Sequence, residues 1–317
     1  MFKKVFLFIL SVTILLGSDI KPSLSIKLNV GVLDMKIYKN SLYIATDGGK
    51  VIVMDIDNFK ILNEIKIRKI KDFMGELHES DIYSVDVLDG KILFLAQAED
   101  GYSELFINEN NQTKKVLDKS LSLYAKAAKF VDKDKAILVL MSDETVLYDI
   151  KNKKILKRAV AGEYFYSSMD ISPNRKFIVI GDEGGEIIVV DTSNLKRINL
   201  FKDINKDKVI SIFTTNDMIA AGSRGDKTLG VYSLKDKKGW SKRCDFFVYA
   251  TAVAPDDSYV VYGDNDKYIL KIANPFTFDL KDKLIGHKNI VNSVKFIDNK
   301  TIITGSETGE IMKWRLK

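Results

Sequence analysis

A chain of 317 residues that is 46 % hydrophobic and 29 % charged can bury a large core, so globally disordered and collagen-like architectures are excluded. A single cysteine excludes a disulfide framework, cysteine-ligated zinc and c-type haem, and two histidines exclude a three-histidine metal centre. The net charge of +6 arises from 49 Lys+Arg against 43 Asp+Glu; arginines are few and the lysines alternate with acids, as in Lys133-Asp134-Lys135, which is a solvated surface and not a nucleic-acid footprint.

At the N-terminus, Lys3 and Lys4 precede the charge-free run Val5 to Leu16, and the small residues Gly17-Ser18 follow. A run of this length is too short for a spanning helix, which needs about 20 residues. The arrangement is that of a cleaved secretory signal. The expected organisation is therefore a signal over residues 1–18 and one domain over 19–317, with a periplasmic mature protein that makes no stable membrane insertion. No cysteine adjoins the expected cleavage site, so no lipid anchor is expected. Cys244 would have no intramolecular partner after export; Lys242-Arg243 precede it, but Phe246-Phe247-Val248 follow, and burial at a strand start is expected.

Beyond residue 26 the chain repeats a phrase of short alternating strands. Leu42 to Thr46, the turn Asp47-Gly48-Gly49 and Lys50 to Asp55 give its first form. Phe177 to Gly181, Asp182-Glu183-Gly184-Gly185 and Glu186 to Asp191 repeat it, as do Tyr259 to Gly263 with Ile269 to Ile272. The clearest unit is the last: Gly286-His287, Val291 to Asp298, Thr301 to Gly305 and Glu310 to Arg315. Apolar residues recur at a period of two within each run, and Asp, Asn and Gly punctuate them. Third-strand ends fall at Tyr148, Val190 and Tyr232, steps of 42 (190 minus 148, 232 minus 190). That is the period of a four-stranded propeller blade, and the chain accommodates seven. The expected fold is all-β, a seven-bladed β-propeller. The last unit stops after its third strand, so the alternating segment Ser23 to Leu28 is expected to supply the missing outer strand and close the ring.

Gly286-His287 and Trp314-Arg315 carry a resemblance to WD40-type repeat proteins, with Tyr148-Asp149 and Val190-Asp191 as weaker endings. The chain as a whole, an export signal followed by seven faint repeats, also resembles the NapL-type accessory proteins of periplasmic nitrate reductase. These resemblances imply a non-catalytic, monomeric interaction platform that takes part in maturation of that enzyme or electron delivery to it. They imply protein partners, nitrate reductase subunits among them, and a structural hydrogen-bonding role for His287.

No nucleophile elbow occurs, two histidines leave little for a triad, and Asp47, Asp182 and Asp264 sit where hairpin turns need Asp. No catalytic residue, metal ligand or cofactor is assigned. A calcium-dependent propeller hydrolase or lactonase is the alternative, and an outer-membrane assembly propeller a more distant one. Candidate partner-binding residues lie ahead of the first strands: Tyr83, Tyr164, Phe165, Phe247 and Tyr249, with Arg243 and Lys288 at the rim. Aromatic side chains bury large areas at low entropy cost and dominate binding hot spots.

Overall fold

A computed structural model describes residues 17–316. The chain forms seven antiparallel four-stranded sheets arranged as the blades of a propeller, and blade 6 carries an additional fifth strand. Two short 3-10 turns, Glu99–Gly101 and Lys119–Leu121, are the only helical elements among the described residues. The innermost strands are Val32–Tyr38, Ile82–Leu88, Ala125–Asp132, Tyr166–Ile171, Val209–Thr214, Ala250–Val253 and Val291–Asp298. Each contacts the innermost strands of both neighbouring blades, so together they ring a central channel.

The hydrophobic core is divided into seven clusters, each shared between two adjacent blades. Leu93, Leu95 and Leu105 of blade 2 pack on Ala128, Phe130 and Leu138 of blade 3. Ile137 and Val139 of blade 3 in turn pack on Ile178, Ile180 and Ile188 of blade 4. The last cluster joins Met35, Ile44 and Ile52 of blade 1 to Ile303 and Ile311 of blade 7. Because both faces of every blade are covered, second strands such as Phe177–Asp182 are buried throughout and read as continuous apolar runs.

Ring closure follows the expectation from the sequence. Leu24–Lys27 pairs antiparallel with the third strand of blade 7, Leu24 opposite Lys313 and Lys27 opposite Glu310. The structure adds a second closure. Ser18–Ile20 runs parallel to the outer strand of blade 6, in register Ser18 to Asp282 and Ile20 to Leu284, and the Ser18 hydroxyl bonds the Asp282 carboxylate. Met1 to Leu16, most of the expected export signal, lie outside the described residues; Gly17 and Ser18 lie within them, so removal of residues 1–18 would take away the Ser18 contact and leave Asp19 and Ile20 in the closing strand.

A second set of ties crosses blades through charge. Arg175, in the turn between the first and second strands of blade 4, reaches back across blade 3 to Asp86 of blade 2. Its Nη1 donates to Asp86 Oδ2 at 2.6 Å and its Nη2 to Asp86 Oδ1 at 3.1 Å. Further donations go to the carbonyls of Phe130 and Val87. Burial alone would raise the Asp86 carboxyl, but the Arg175 hydrogen bonds and the Lys36, Arg175 and Lys129 charges hold it below the usual carboxylate range. Arg175 has a φ of +59°, in the left-handed region that costs a non-glycine residue about 1–2 kcal/mol; the four hydrogen bonds offset this.

Deleting residues 23–28 is expected to lower the denaturant midpoint of the whole protein, because it leaves the edge of blade 7 unpaired; an unchanged midpoint would show that the ring closes without them. Arg175→Leu is expected to cost on the order of 3–5 kcal/mol, since it strands the buried Asp86 carboxylate. Chemical denaturation of the variant checks this, and Asp86→Asn in the same background should recover part of the loss.

Candidate functional site

The connections that lead from each outer strand to the next innermost strand share one face with the turns between second and third strands. Backbone bonds tie the two kinds of loop together: Glu183 N donates to Phe165 O at 2.8 Å, Arg224 N to Lys208 O at 3.0 Å and Glu307 N to Ile290 O at 3.0 Å. The channel opens on this face as a cavity of about 520 Å³, with Tyr83, Lys126, Phe165, Asp170, Phe213 and Lys295 in its wall.

Pairing with the second strands fixes equivalent channel positions. Lys36 of blade 1 lies opposite Tyr43, Asp86 of blade 2 opposite Leu93 and Lys129 of blade 3 opposite Ile137. Asp170 of blade 4 faces Val179, Phe213 of blade 5 faces Ala220 and Lys295 of blade 7 faces Ile303. One level of the channel thus alternates Lys, Asp, Lys, Asp over blades 1 to 4. The charges are bonded laterally. Lys129 Nζ donates to Asp34 Oδ2 at 2.7 Å and to the Val85 carbonyl at 3.0 Å. Thr214 N donates to Asp170 Oδ2 at 3.0 Å. Burial opposes the charge on Asp34, but Lys129 and Lys295 outweigh it and lower its pKa.

The candidate binding residues fall into two groups and two outliers. Tyr83 and Phe165 line the channel mouth, where Lys126 Nζ sits 4.4 Å above the Tyr83 ring. Burial and the nearby Asp81 push the Tyr83 hydroxyl up to about 12. Tyr164 and Phe165 are 49 % and 58 % exposed on the same connection. Phe247 and Tyr249 form a separate aromatic cluster with Phe246: Phe246 and Phe247 stack at 4.8 Å and Tyr249 meets Phe247 edge-on at 5.9 Å. A small apolar recess beside them is closed by Tyr268, Leu270 and Ile290. Arg243 ends the outer strand of blade 5, and the cation over Phe247 is Arg224, 5.7 Å from the ring centroid. Lys288 is exposed on the connection into blade 7, its backbone N–H bonded to Glu310.

Sequence reasoning missed Arg224 and the hairpin Ile70–Lys71 with Leu77–His78, inserted between blades 1 and 2. Its tip presents Phe73 at 98 % exposure, held by an Asp72 carboxylate that accepts from Met74 N and Glu76 N. The available signal was spacing: third-strand positions Met54 and Phe106 are 52 apart (106 minus 54), longer than one blade repeat.

Among the described residues, no group of three or more His, Cys, Asp or Glu side chains is arranged to hold a metal ion, and no helix is long and apolar enough to cross a membrane. Cys244 is buried as expected, but directly after the outer strand of blade 5 and not at a strand start. Burial and the Asp264 charge push its thiol up to about 12.

Blade 7 contains a closed polar network. Trp314 Nε1 donates to Thr304 Oγ1 at 2.8 Å, which lies 2.6 Å from His287 Nε2; His287 Nδ1 lies 3.3 Å from Glu310 Oε2. Indole N–H can only donate, so the hydroxyl donates onward to Nε2 and Nδ1–H faces the carboxylate. Burial holds the imidazole below its usual pKa, hence neutral, as this chain of bonds needs. Residues 278–315, from the outer strand of blade 6 through blade 7, match the family described as WD domain, G-beta repeat. The protein is a seven-bladed β-propeller that carries a WD40 repeat. His287 has the structural role that its position in a WD40 repeat implies, and the fold is that of an interaction platform. Blades of the propeller that lack the full signature, such as blades 2, 3 and 5, have the same four-stranded geometry as blade 7.

DTNB at pH 8 is expected to leave Cys244 unmodified in the folded protein and to titrate one thiol after denaturation; rapid reaction of the folded protein would place the thiol at the surface.

Proposed function

We propose that this propeller is a non-catalytic, periplasmic interaction platform that binds periplasmic nitrate reductase or its electron-transfer partners through the face carrying the channel mouth. The observation that carries the reading is the connection Glu163 to Phe165, where two large aromatic side chains stand exposed beside the mouth while the backbone beneath them is pinned to blade 4 by the bond from Glu183 N to Phe165 O. Rigid aromatic anchors on a fixed loop lose little entropy when covered. Phe247 with Arg224 offers a second anchor with a cation at its edge. The export signal read in the sequence supports the compartment, and the whole-chain resemblance to NapL-type proteins supports the partner.

The test is binding of the purified mature protein to purified periplasmic nitrate reductase of the same host, measured by biolayer interferometry. Phe165→Ala combined with Phe247→Ala is expected to weaken binding by at least about tenfold, since a hot-spot aromatic contributes 2 kcal/mol or more. The melting temperature should stay within a few degrees. A collapse in stability would place these rings in the core, where Phe→Ala costs about 3–5 kcal/mol. Loss of binding on Phe73→Ala alone would move the docking element to the inserted hairpin, and no binding by the unaltered protein would remove nitrate reductase as the partner.

A further inference from the structure

Under the Glu163 to Phe165 connection lies an acidic cluster with buried, unpartnered carboxylate oxygens. Asp143, in the turn between the second and third strands of blade 3, is fully buried, as is Asp182 at the end of the second strand of blade 4; Glu186, just before the third strand of blade 4, is almost so. Both carboxylate oxygens of Asp143, Oδ2 of Asp182 and Oε2 of Glu186 have no hydrogen-bond partner. Such atoms are costly as bare anions in a protein interior.

The cause is visible by comparison with blade 7. His287 stands four residues before the first strand of that blade, at Val291, and partners Glu310, which opens the third strand. Glu186 is the equivalent of Glu310, since Ile187 and Ile311 lie opposite the glycines Gly181 and Gly305. Four residues before the first strand of blade 4, at Tyr166, the equivalent of His287 is Gly162. Blade 5 fills the same slot, four residues before Val209, with Asn205, which bonds Ser223 and Tyr232. In blade 4 the slot holds the apolar Ile188 Cδ1 and no donor, and the two aspartates flank it. A Cβ on Gly162 would lie 2.3 Å from Asp143 Oδ2 and 3.4 Å from Asp182 Oδ2.

We propose that Asp143, Asp182 and Glu186 form a proton-binding latch that holds the Glu163–Phe165 connection closed when protonated and releases it when ionised, making the aromatic docking surface pH-responsive. A protonated carboxyl supplies the donor that the missing side chain would have supplied, so protonation of Asp143 or Asp182 removes the repulsion that two buried anions would suffer. The loop is joined to the cluster on both sides. Ala161 N donates to Asp143 O and Tyr166 N to Met141 O, while the Tyr164 ring lies against Gly184, in the turn whose amides bond Asp182 Oδ1.

The surrounding cations leave the two aspartates unpaired. Lys202, just past the outer strand of blade 4, pairs with the other oxygen of Glu186. Lys208, entering blade 5, is taken by Glu183, and Arg158 of blade 3 by Glu144. Glu163 and Tyr164 lie on the loop itself, Arg197 Nη1 donates to the Ala161 carbonyl at 3.5 Å, and Tyr166 lies beneath as a neutral phenol. Burial, then Asp182 and Glu186, push Asp143 up to about 7, and burial with the Glu186 charge pushes Asp182 up to about 6. These carboxyls titrate above their unfolded values, so the stability of the closed loop is full at low pH and is lost as pH rises towards about 7.

This regulation rests on the platform reading for its purpose, but its test needs no partner, so a latch without nitrate reductase binding and binding without a latch are separate results. Amide hydrogen exchange of the mature protein is followed at Ala161, Tyr166 and Glu183 from pH 4.5 to 8, corrected for intrinsic rates. Protection is expected to fall about tenfold per pH unit between pH 5 and 7, the slope of one linked proton, and to level off above. Asp143→Asn, whose amide donates at every pH, is expected to stay protected to pH 8, and Glu186→Gln to shift the transition downward. An unchanged slope in Asp143→Asn, or a flat profile in the unaltered protein, overturns the proposal. Restoration of protection at pH 7.5 by 5 mM calcium chloride also overturns it, because the occupant is then a cation and not a proton.

Discussion

No blade of this protein owns a hydrophobic core. Each of the seven apolar clusters is shared by two neighbours, so a blade with a missing neighbour exposes half of what it buries. The ring must therefore close, and closing it falls to the pairing of Leu24–Lys27 with the last strand of the chain. That pairing joins positions almost the whole chain apart, the most expensive contact in loop entropy and the one that makes all the others mutually supporting. The parallel strand Ser18–Ile20 extends the same device to blade 6, with Ile20 buried in the cluster between blades 6 and 7.

Closure leaves a channel, and this protein treats the channel wall as a polar seam. Asp34, Lys129, Asp86 and Arg175 connect blades 1 to 4 through charges that each have an opposite partner within hydrogen-bond reach. Buried ion pairs add little net stability over apolar packing, yet they fix register, because a shifted neighbour would strand a charge. In blades 5 and 6 the seam gives way to Phe213 and Ala252, and Lys295 of blade 7 stacks over the Phe213 ring at 5.5 Å. The blades are thus alike in backbone and distinct in how they grip one another, which disfavours slippage in a ring of near-equivalent units.

Much of this architecture was legible in the residues. Alternation at period two, turns rich in Asp and Gly, and 42-residue steps are short-range consequences of strand geometry, and they hold wherever a blade is regular. Leu24 to Lys27 could be assigned to the last blade because that blade lacked a strand. The second closing strand could not, since three residues running parallel at an outer edge leave no pattern. The inserted hairpin at residues 70–78 left only an overlong step. The aromatic residues ahead of the first strands were readable as a class, but their division into a channel-mouth pair and a separate cluster around Phe246 depends on blade geometry. Arg224 reaches Phe247 from another loop, a contact between loops of adjacent blades that no local pattern signals.

The acidic cluster shows where local reading is sound and still incomplete. Asp182 has the sequence setting of a turn aspartate, and its Oδ1 does accept from Gly184 N and Glu186 N as such a residue should. Its other oxygen belongs to a different problem, set by Asp143 from the neighbouring blade and by the absence of a side chain at Gly162. Asp47 and Asp264 occupy comparable turns and are satisfied, the first by the Gly31 amide and the second by Lys271. The same residue type in comparable turns is therefore satisfied in blades 1 and 6, by an amide and by a lysine, and keeps one unpartnered oxygen in blade 4. In blade 7 the slot four residues before the first strand holds a histidine that completes its network; in blade 4 it holds a glycine, and the proton has to do what the imidazole does elsewhere.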